Sequence, residues 1–409
     1  MPPAPTTLEA NQELGLPLRS TDGHYAQQSA AAVADRLDFL DGLRALTALY
    51  VVAYHAFLQV WSVLRGIHPH GVAKFLFGWL AHGPYGVVVF LVVSGFCLML
   101  TVNNSNYQLK EGVLGFFVRR AKRIVPPYYA AIALSFILAT TVLKTPLGTH
   151  FDICLPATLD GLKGNLLFIP ELTKANTNHV FWSIGVEAKV YLFFPLALFL
   201  WRRIGGISTT ALMLLAGIYV PTVSAELAIW CTHYLGLFAL GMLAADFKTR
   251  GHIMLTQMLK VASVLLVALI GALTWFVPAQ VQIDHGLEFQ LTVGATTAVI
   301  MCLMKNGEFN ALKRFLSNKW LQIIGVASYS LYLIHAPLLQ LYTKFVTQPL
   351  LAPLYGQSVK LASFVEILLF LFGALPLIVL AALAFGYVFE GRYFKKGMSH
   401  ITASHSGQS

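Results

Sequence analysis

Residues 40–57 read LDGLRALTALYVVAYHAF, an apolar run broken near its start by Asp41 and Arg44 and near its end by His55. Leu, Ala, Val and aromatic residues make up most of it, the composition of a helix that sits in hydrocarbon. An ionisable group deep in a bilayer costs roughly 2.5–3.5 kcal/mol on insertion scales, so Arg44 and His55 are functional candidates by default. Eleven positions at about 100° each leave them about 20° from alignment, on one helix face, with the imidazole about 16 Å beyond the guanidinium. Asp41, three residues before Arg44, can pair with it on that face. The pattern suits a charged mouth leading to a general base. It also suits a snorkelling Arg and a His satisfied by a neighbouring helix, and spacing alone leaves both open.

The rest of the chain follows this segment. Of 409 residues, 57% are hydrophobic and 11% charged, with mean hydropathy +0.67. A soluble fold of this size could not cover so much apolar surface. The expectation is an all-α, polytopic integral membrane protein of about ten transmembrane helices. Its spans are expected near 42–62, 75–101, 124–143, 180–201, 207–223, 227–247, 259–279, 288–304, 320–345 and 361–387. With both termini inside, about three times as many Lys and Arg fall on the inner side as on the outer, which predicts an N-in, C-in arrangement. The net charge of +10 lies in short clusters between apolar runs, so no nucleic-acid partner is expected. Residues 1–35, polar and without a hydrophobic signal core, read as a disordered cytoplasmic arm. Cys97, Cys154, Cys231 and Cys302 have no CxxC spacing and suggest neither a disulfide framework nor a metal site.

Three further places carry polar groups among apolar ones. In FFVRRAKRIVPPYY (116–129), Arg119, Arg120, Lys122 and Arg123 can anchor a helix to anionic headgroups or grip phosphates through bidentate guanidinium donors. In HVFWSIGVEAKVYLFFPL (179–196), Glu187 and Lys189 must be paired or neutral, as bundle glue or as groups that orient a His or a hydroxyl. In IGVASYSLYLIHAPLLQ (324–340), His335 follows a series of hydroxyls that could face a polar cavity or an interface. His68, His70, His82, His150 and His179 lack ligand-like spacing and read as structural or solvated. The long outer loop, roughly 145–178, could act as a lid.

Taken in order, these segments resemble the acyltransferase-3 family of membrane-bound O-acyltransferases. The Arg, ten residues, His element is Arg44 and His55. The Phe-rich run ending in SGF is VVVFLVVSGFCL, with Ser94, Gly95 and Phe96. The Arg-x-x-Arg element is Arg120 and Arg123. The WS…E…YL…P element is WSIGVEAKVYLFFPL, and SYSLYLIHAPLLQ and FEGRYFKK match the last two. Ala188 stands where the family has a second acid, and Ile334 and Ala336 replace the Trp residues that flank His335, which bears on acceptor preference.

The resemblance assigns 36–396 to the acyltransferase-3 transmembrane domain and leaves 397–409 as a cytoplasmic tail, without the hydrolase-like domain that some relatives add. It implies a plasma or bacterial inner membrane and a transferase using acyl-CoA, commonly acetyl-CoA, as co-substrate, with no metal. It implies an acceptor hydroxyl on a cell-surface or exported glycan; a small molecule such as a macrolide is the alternative acceptor. Arg44, Arg119, Arg120 and Arg123 are then expected to hold the donor, His55 to act as general base, and Glu187 and His335 to orient it or the acceptor. A transporter, which also uses intramembrane charges, is the reading from another class, but no inverted repeat supports it.

Overall fold

The computed structural model describes residues 21–62, 66–173, 176–230, 232–249, 252–277 and 285–406, with backbone alone for 21–37, 225, 228, 404 and 406. Residues 1–20 of the N-terminal arm lie outside the described residues, as do Arg65, Lys174, Arg250 and Cys231. Among the described residues there is no strand. The main helices are α1 (Thr21–Val60), α2 (Pro84–Leu100), α3 (Gly112–Thr140), α4 (Trp182–Ile204), α5 (Gly206–Val223), α6 (His233–Asp246) and α7 (Ile253–Phe276). They continue with α8 (Gly286–Lys305), α9 (Lys319–Val326), α10 (Ser328–Tyr342), α11 (Val359–Leu369), α12 (Leu375–Phe389) and α13 (Arg392–Ser406).

Among the described residues 8 helices are long and apolar enough to cross a membrane, or 9 if α9 and the helix that follows it, bent by 71°, count as one. The chain is a multi-pass membrane protein. The expected span at 227–247 is the exception: α6 has 14 residues, about 21 Å, short of a hydrocarbon core of about 30 Å. It is apolar because protein surrounds it. Leu237, Phe238, Ala239 and Met242 are fully covered, and the helix packs on α2, α5 and α8. By contrast α7 leaves Met254 and Phe276 about 80% exposed, which lipid contact demands.

The α2–α6 contact depends on two glycines. A Cβ at Gly95 would lie 2.0 Å from the Phe238 carbonyl oxygen, and one at Gly241 would lie 2.0 Å from that of Val92. Small residues facing each other let two backbones meet, as is common between membrane helices. One apolar cluster is built on α2, α4, α6 and α8. A second unites the deeper half of α1 with α3, α10 and α12. The polar residues gather where these two clusters adjoin.

Candidate active site

At the Arg44 end, α1, α2, α3, α4 and α10 enclose a cavity of about 110 Å³ lined by Arg44, Ser94, Arg120, Arg123, Glu187 and Tyr191. Arg120 and Arg123 share a face of α3 because they are three residues apart. The Arg120 guanidinium lies over Phe116 at 5.6 Å and over Tyr191 at 5.7 Å, and its Nε is buried without a hydrogen-bond partner. Arg44 lies 3.8 Å from Asp41, the pairing its spacing suggested. Arg119 is not part of this group: it pairs with Glu111 at the start of α3.

Glu187 faces the arginines rather than the histidines. Its carboxylate accepts a short hydrogen bond from the Tyr191 hydroxyl and one of 3.4 Å from Ser94, and Ser94 and Tyr191 are 2.7 Å apart. Lys189, the other charge of α4, is explained separately. It pairs with Glu171 of the long loop and lies over the Trp230 ring, tying the loop to the bundle.

The cavity's inner wall includes Phe90, Ser183 and Tyr332, and the hydroxyls of Ser183 and Tyr332 are 2.6 Å apart. Just beyond, His335 Nε2 lies 3.0 Å from His55 Nδ1. This contact brings together two residues 280 positions apart in the chain. Backbone carbonyls determine where the protons are. His335 Nδ1 is 2.7 Å from the Tyr332 carbonyl, so it carries the hydrogen and Nε2 keeps its lone pair. Both neighbours of His55 Nδ1, namely His335 Nε2 and the Val51 carbonyl at 2.9 Å, are then acceptors. His55 therefore holds its hydrogen on Nδ1, which leaves Nε2 as the basic nitrogen.

Two histidines read from sequence as structural or solvated stand beside this pair. The ring of His179 is 5.0 Å from that of His55, and His150 is 6.3 Å from His55 and 4.7 Å from His179. The loop that brings His150 here is anchored by Asp152, which accepts from the backbone N–H groups of Leu147, Gly148 and Thr149. Gln340 of α10 bonds both Thr149, at 2.6 Å, and Asp152, at 3.2 Å. Burial pushes the His150 pKa below its ordinary value, favouring the neutral ring. Beside His179, Asn178 reaches Ser135 of α3 and the Leu333 carbonyl of α10. His179 stands three residues before Trp182, on a segment already marked by its motif; nothing in the sequence marks His150. Among the described residues no three His, Cys, Asp or Glu side chains form a group able to hold a metal ion.

Directly after α12, Glu390 accepts from the Ser330 backbone N–H at 3.2 Å and hydroxyl at 2.5 Å. The closing motif thereby caps the N-terminus of the helix that carries His335.

Comparison with known proteins agrees with these motifs. The acyltransferase-3 family, described as an acyltransferase domain, matches residues 37–384. The chain is 25% identical over 353 residues to the O-acetyltransferase OatA of Staphylococcus aureus, covering 81% of this chain and 54% of that protein. It is 24% identical over 342 residues to the peptidoglycan O-acetyltransferase OatA of Listeria monocytogenes, covering 76% and 51%. A putative O-acetyltransferase of Staphylococcus aureus is 27% identical over 174 residues, 39% of this chain and 24% of that one. The chain thus spans about half the length of the first two curated relatives. No solved structure matches it significantly. With the family's match running from the foot of α1 into α12, the chain belongs to the acyltransferase-3 family.

Proposed function

We propose that this chain transfers an acyl group, an acetyl group in the simplest case, from acyl-CoA to a hydroxyl of a sugar in a cell-surface or exported glycan. The observation that carries the reading is the continuity along α1, from a cavity with three arginines at Arg44 to an imidazole pair at His55. The relatives' names support O-acetyl transfer, and one of them specifies peptidoglycan.

The residues fit a phosphorylated donor. Three guanidinium groups face the cavity with one lining carboxylate, Glu187, which is already engaged by two hydroxyls. The buried Arg120 Nε has a hydrogen to give. Arg44, Arg120 and Arg123 would grip phosphate oxygens at the mouth, a task suited to guanidinium geometry. In the proposed orientation this mouth faces the cytoplasm, where the positive-inside bias puts clustered arginines. Glu187, Tyr191 and Ser94 would keep Arg120 aimed inward and so position the donor indirectly.

A bound acyl thioester supplies an activated carbonyl carbon and a sulfur leaving group. His55 Nε2 takes the proton of the acceptor hydroxyl as its oxygen bonds to the acyl carbon. It returns that proton to the departing sulfur as the carbon–sulfur bond breaks, so the enzyme ends unchanged. While Nε2 is protonated, His55 Nδ1–H donates more strongly to His335 Nε2, which steadies the imidazolium as the third member of a catalytic triad does. His335 is thus a positioning residue, and its own ring is fixed by the Tyr332 carbonyl.

The test is to supply radiolabelled acetyl-CoA and cell-envelope glycans to membranes containing the protein. Alkali-labile label on glycan is the expected outcome. Label that stays in the donor, with the protein folded and each glycan class supplied, would contradict the reading.

A further inference from the structure

The general-base scheme leaves unexplained the buried imidazole of His179, 5.0 Å from the base. Its Nε2 is enclosed without a hydrogen-bond partner among the described residues, although leaving a buried polar atom unpaired is costly. Its Nδ1 faces the Cys154 sulfur at 3.8 Å. Burial pushes the Cys154 thiol up to about 12, so it keeps its hydrogen. The sulfur also lies against the His179 backbone N–H, which occupies it as an acceptor. The S–H is thereby free to donate to Nδ1, which puts the hydrogen of the ring on Nε2. The result is a buried, unspent N–H donor on a ring whose centre lies 5.0 Å from that of His55.

The surroundings hold this donor still. Asn178 ties the preceding residue to α3 and α10. The ring is flanked by Phe151 at 6.2 Å and His150 at 4.7 Å. Fixed, poorly hydrated donors aimed where negative charge develops are the usual source of oxyanion stabilisation in acyl transfer.

We propose that His179 is a further catalytic residue, its Nε2–H donating to the acyl carbonyl oxygen while His55 Nε2 removes the acceptor's proton. This rests on the acyl-transfer reading above. The two imidazoles divide the work: one handles the proton, the other the charge that gathers on the carbonyl oxygen as the carbon–oxygen bond forms. When the carbon–sulfur bond breaks, the electron pair on that oxygen re-forms the carbonyl and the sulfur leaves with the bonding pair and the proton from His55, so His179 neither gains nor loses a proton.

The probe is the ketone isostere of acetyl-CoA, with a methylene in place of the thioester sulfur and a ¹³C carbonyl. It cannot transfer its acyl group. Bound to the detergent-purified wild-type protein, its carbonyl stretch should fall below the value in water, and His55→Ala should retain that shift. His179→Ala should bind the isostere yet lose the shift, while His179→Gln, whose amide N–H reaches the same region, should keep part of it. In turnover, His179→Ala should lower kcat by about 10²–10³-fold with KM for acetyl-CoA changed only a few-fold, and His179→Gln should recover some of the loss. An unchanged carbonyl stretch in His179→Ala, or equal kcat losses in the Ala and Gln variants, would overturn the proposal and leave the base assignment intact. Failure of the wild-type protein to bind the isostere would overturn the acyl-CoA reading together with it.

Discussion

His55 is held by the Val51 carbonyl and the His335 imidazole, and this arrangement selects its tautomer. The Tyr332 carbonyl sets the proton on His335, His335 and Val51 set the proton on His55, and the free lone pair falls on Nε2. Replacing His335 with Phe removes the acceptor for His55 Nδ1–H. It should lower kcat on the order of 10²-fold with little change in KM for the donor. His335→Gln, whose amide oxygen still accepts, should lose less. Steady-state kinetics on both variants checks this, and equal activity of His335→Phe and wild type would remove His335 from the mechanism. At this scale the sequence shows which polar residues stand among apolar ones and says little about their partners. Arg44 and His55 were legible because a membrane makes any ionisable group conspicuous and helix geometry puts both on one face. Glu187 was equally conspicuous, but its bonds to Tyr191 and Ser94 depend on how α4 is rotated against α2, which one helix's spacing cannot reveal. Arg119 shares its cluster with Arg120 but faces Glu111, because adjacent residues point about 100° apart on a helix.

Among the elements, the close contact of α2 with α6 explains a motif whose chemistry is otherwise silent. Ser94 faces the cavity while Gly95, the next residue of SGF, sits against the Phe238 carbonyl. Gly95→Leu cannot be absorbed by a rotamer change, since the clash begins at Cβ and is with backbone. The variant should fail to give a monodisperse detergent-solubilised peak on size-exclusion chromatography, whereas Ser94→Ala should give one. A normal elution profile for Gly95→Leu would show that the two backbones are not in contact. The long loop was legible as a loop and as a possible lid; its folding was not. Its course follows from bonds to distant residues, such as Gln340 with Thr149 and Asp152, and Lys189 with Glu171. Those bonds bring His150 and His179 to His55, so two histidines that looked scattered belong to one cluster.

For the whole molecule, hydropathy recovers nearly every crossing helix, because insertion into lipid is a composition rule that each segment obeys separately. It fails at α6, where protein rather than lipid supplies the apolar surroundings and a helix of 14 residues suffices. Arg44 of the basic cavity and His55 of the histidine cluster lie on one helix, eleven residues apart, and so mark two depths of the bundle. That separation suits a reaction whose donor enters from one side while the acceptor reaches the imidazoles from the other. The central claim is that the imidazole at the far end of α1 does the chemistry on a donor held at the near end. The most direct measurement is label transfer from radiolabelled acetyl-CoA by detergent-purified wild type and His55→Ala, alongside the thermal shift each shows with acetyl-CoA. The account predicts that His55→Ala keeps the donor-induced shift and loses at least about 10²-fold in transfer. Near-wild-type transfer by the variant would contradict it.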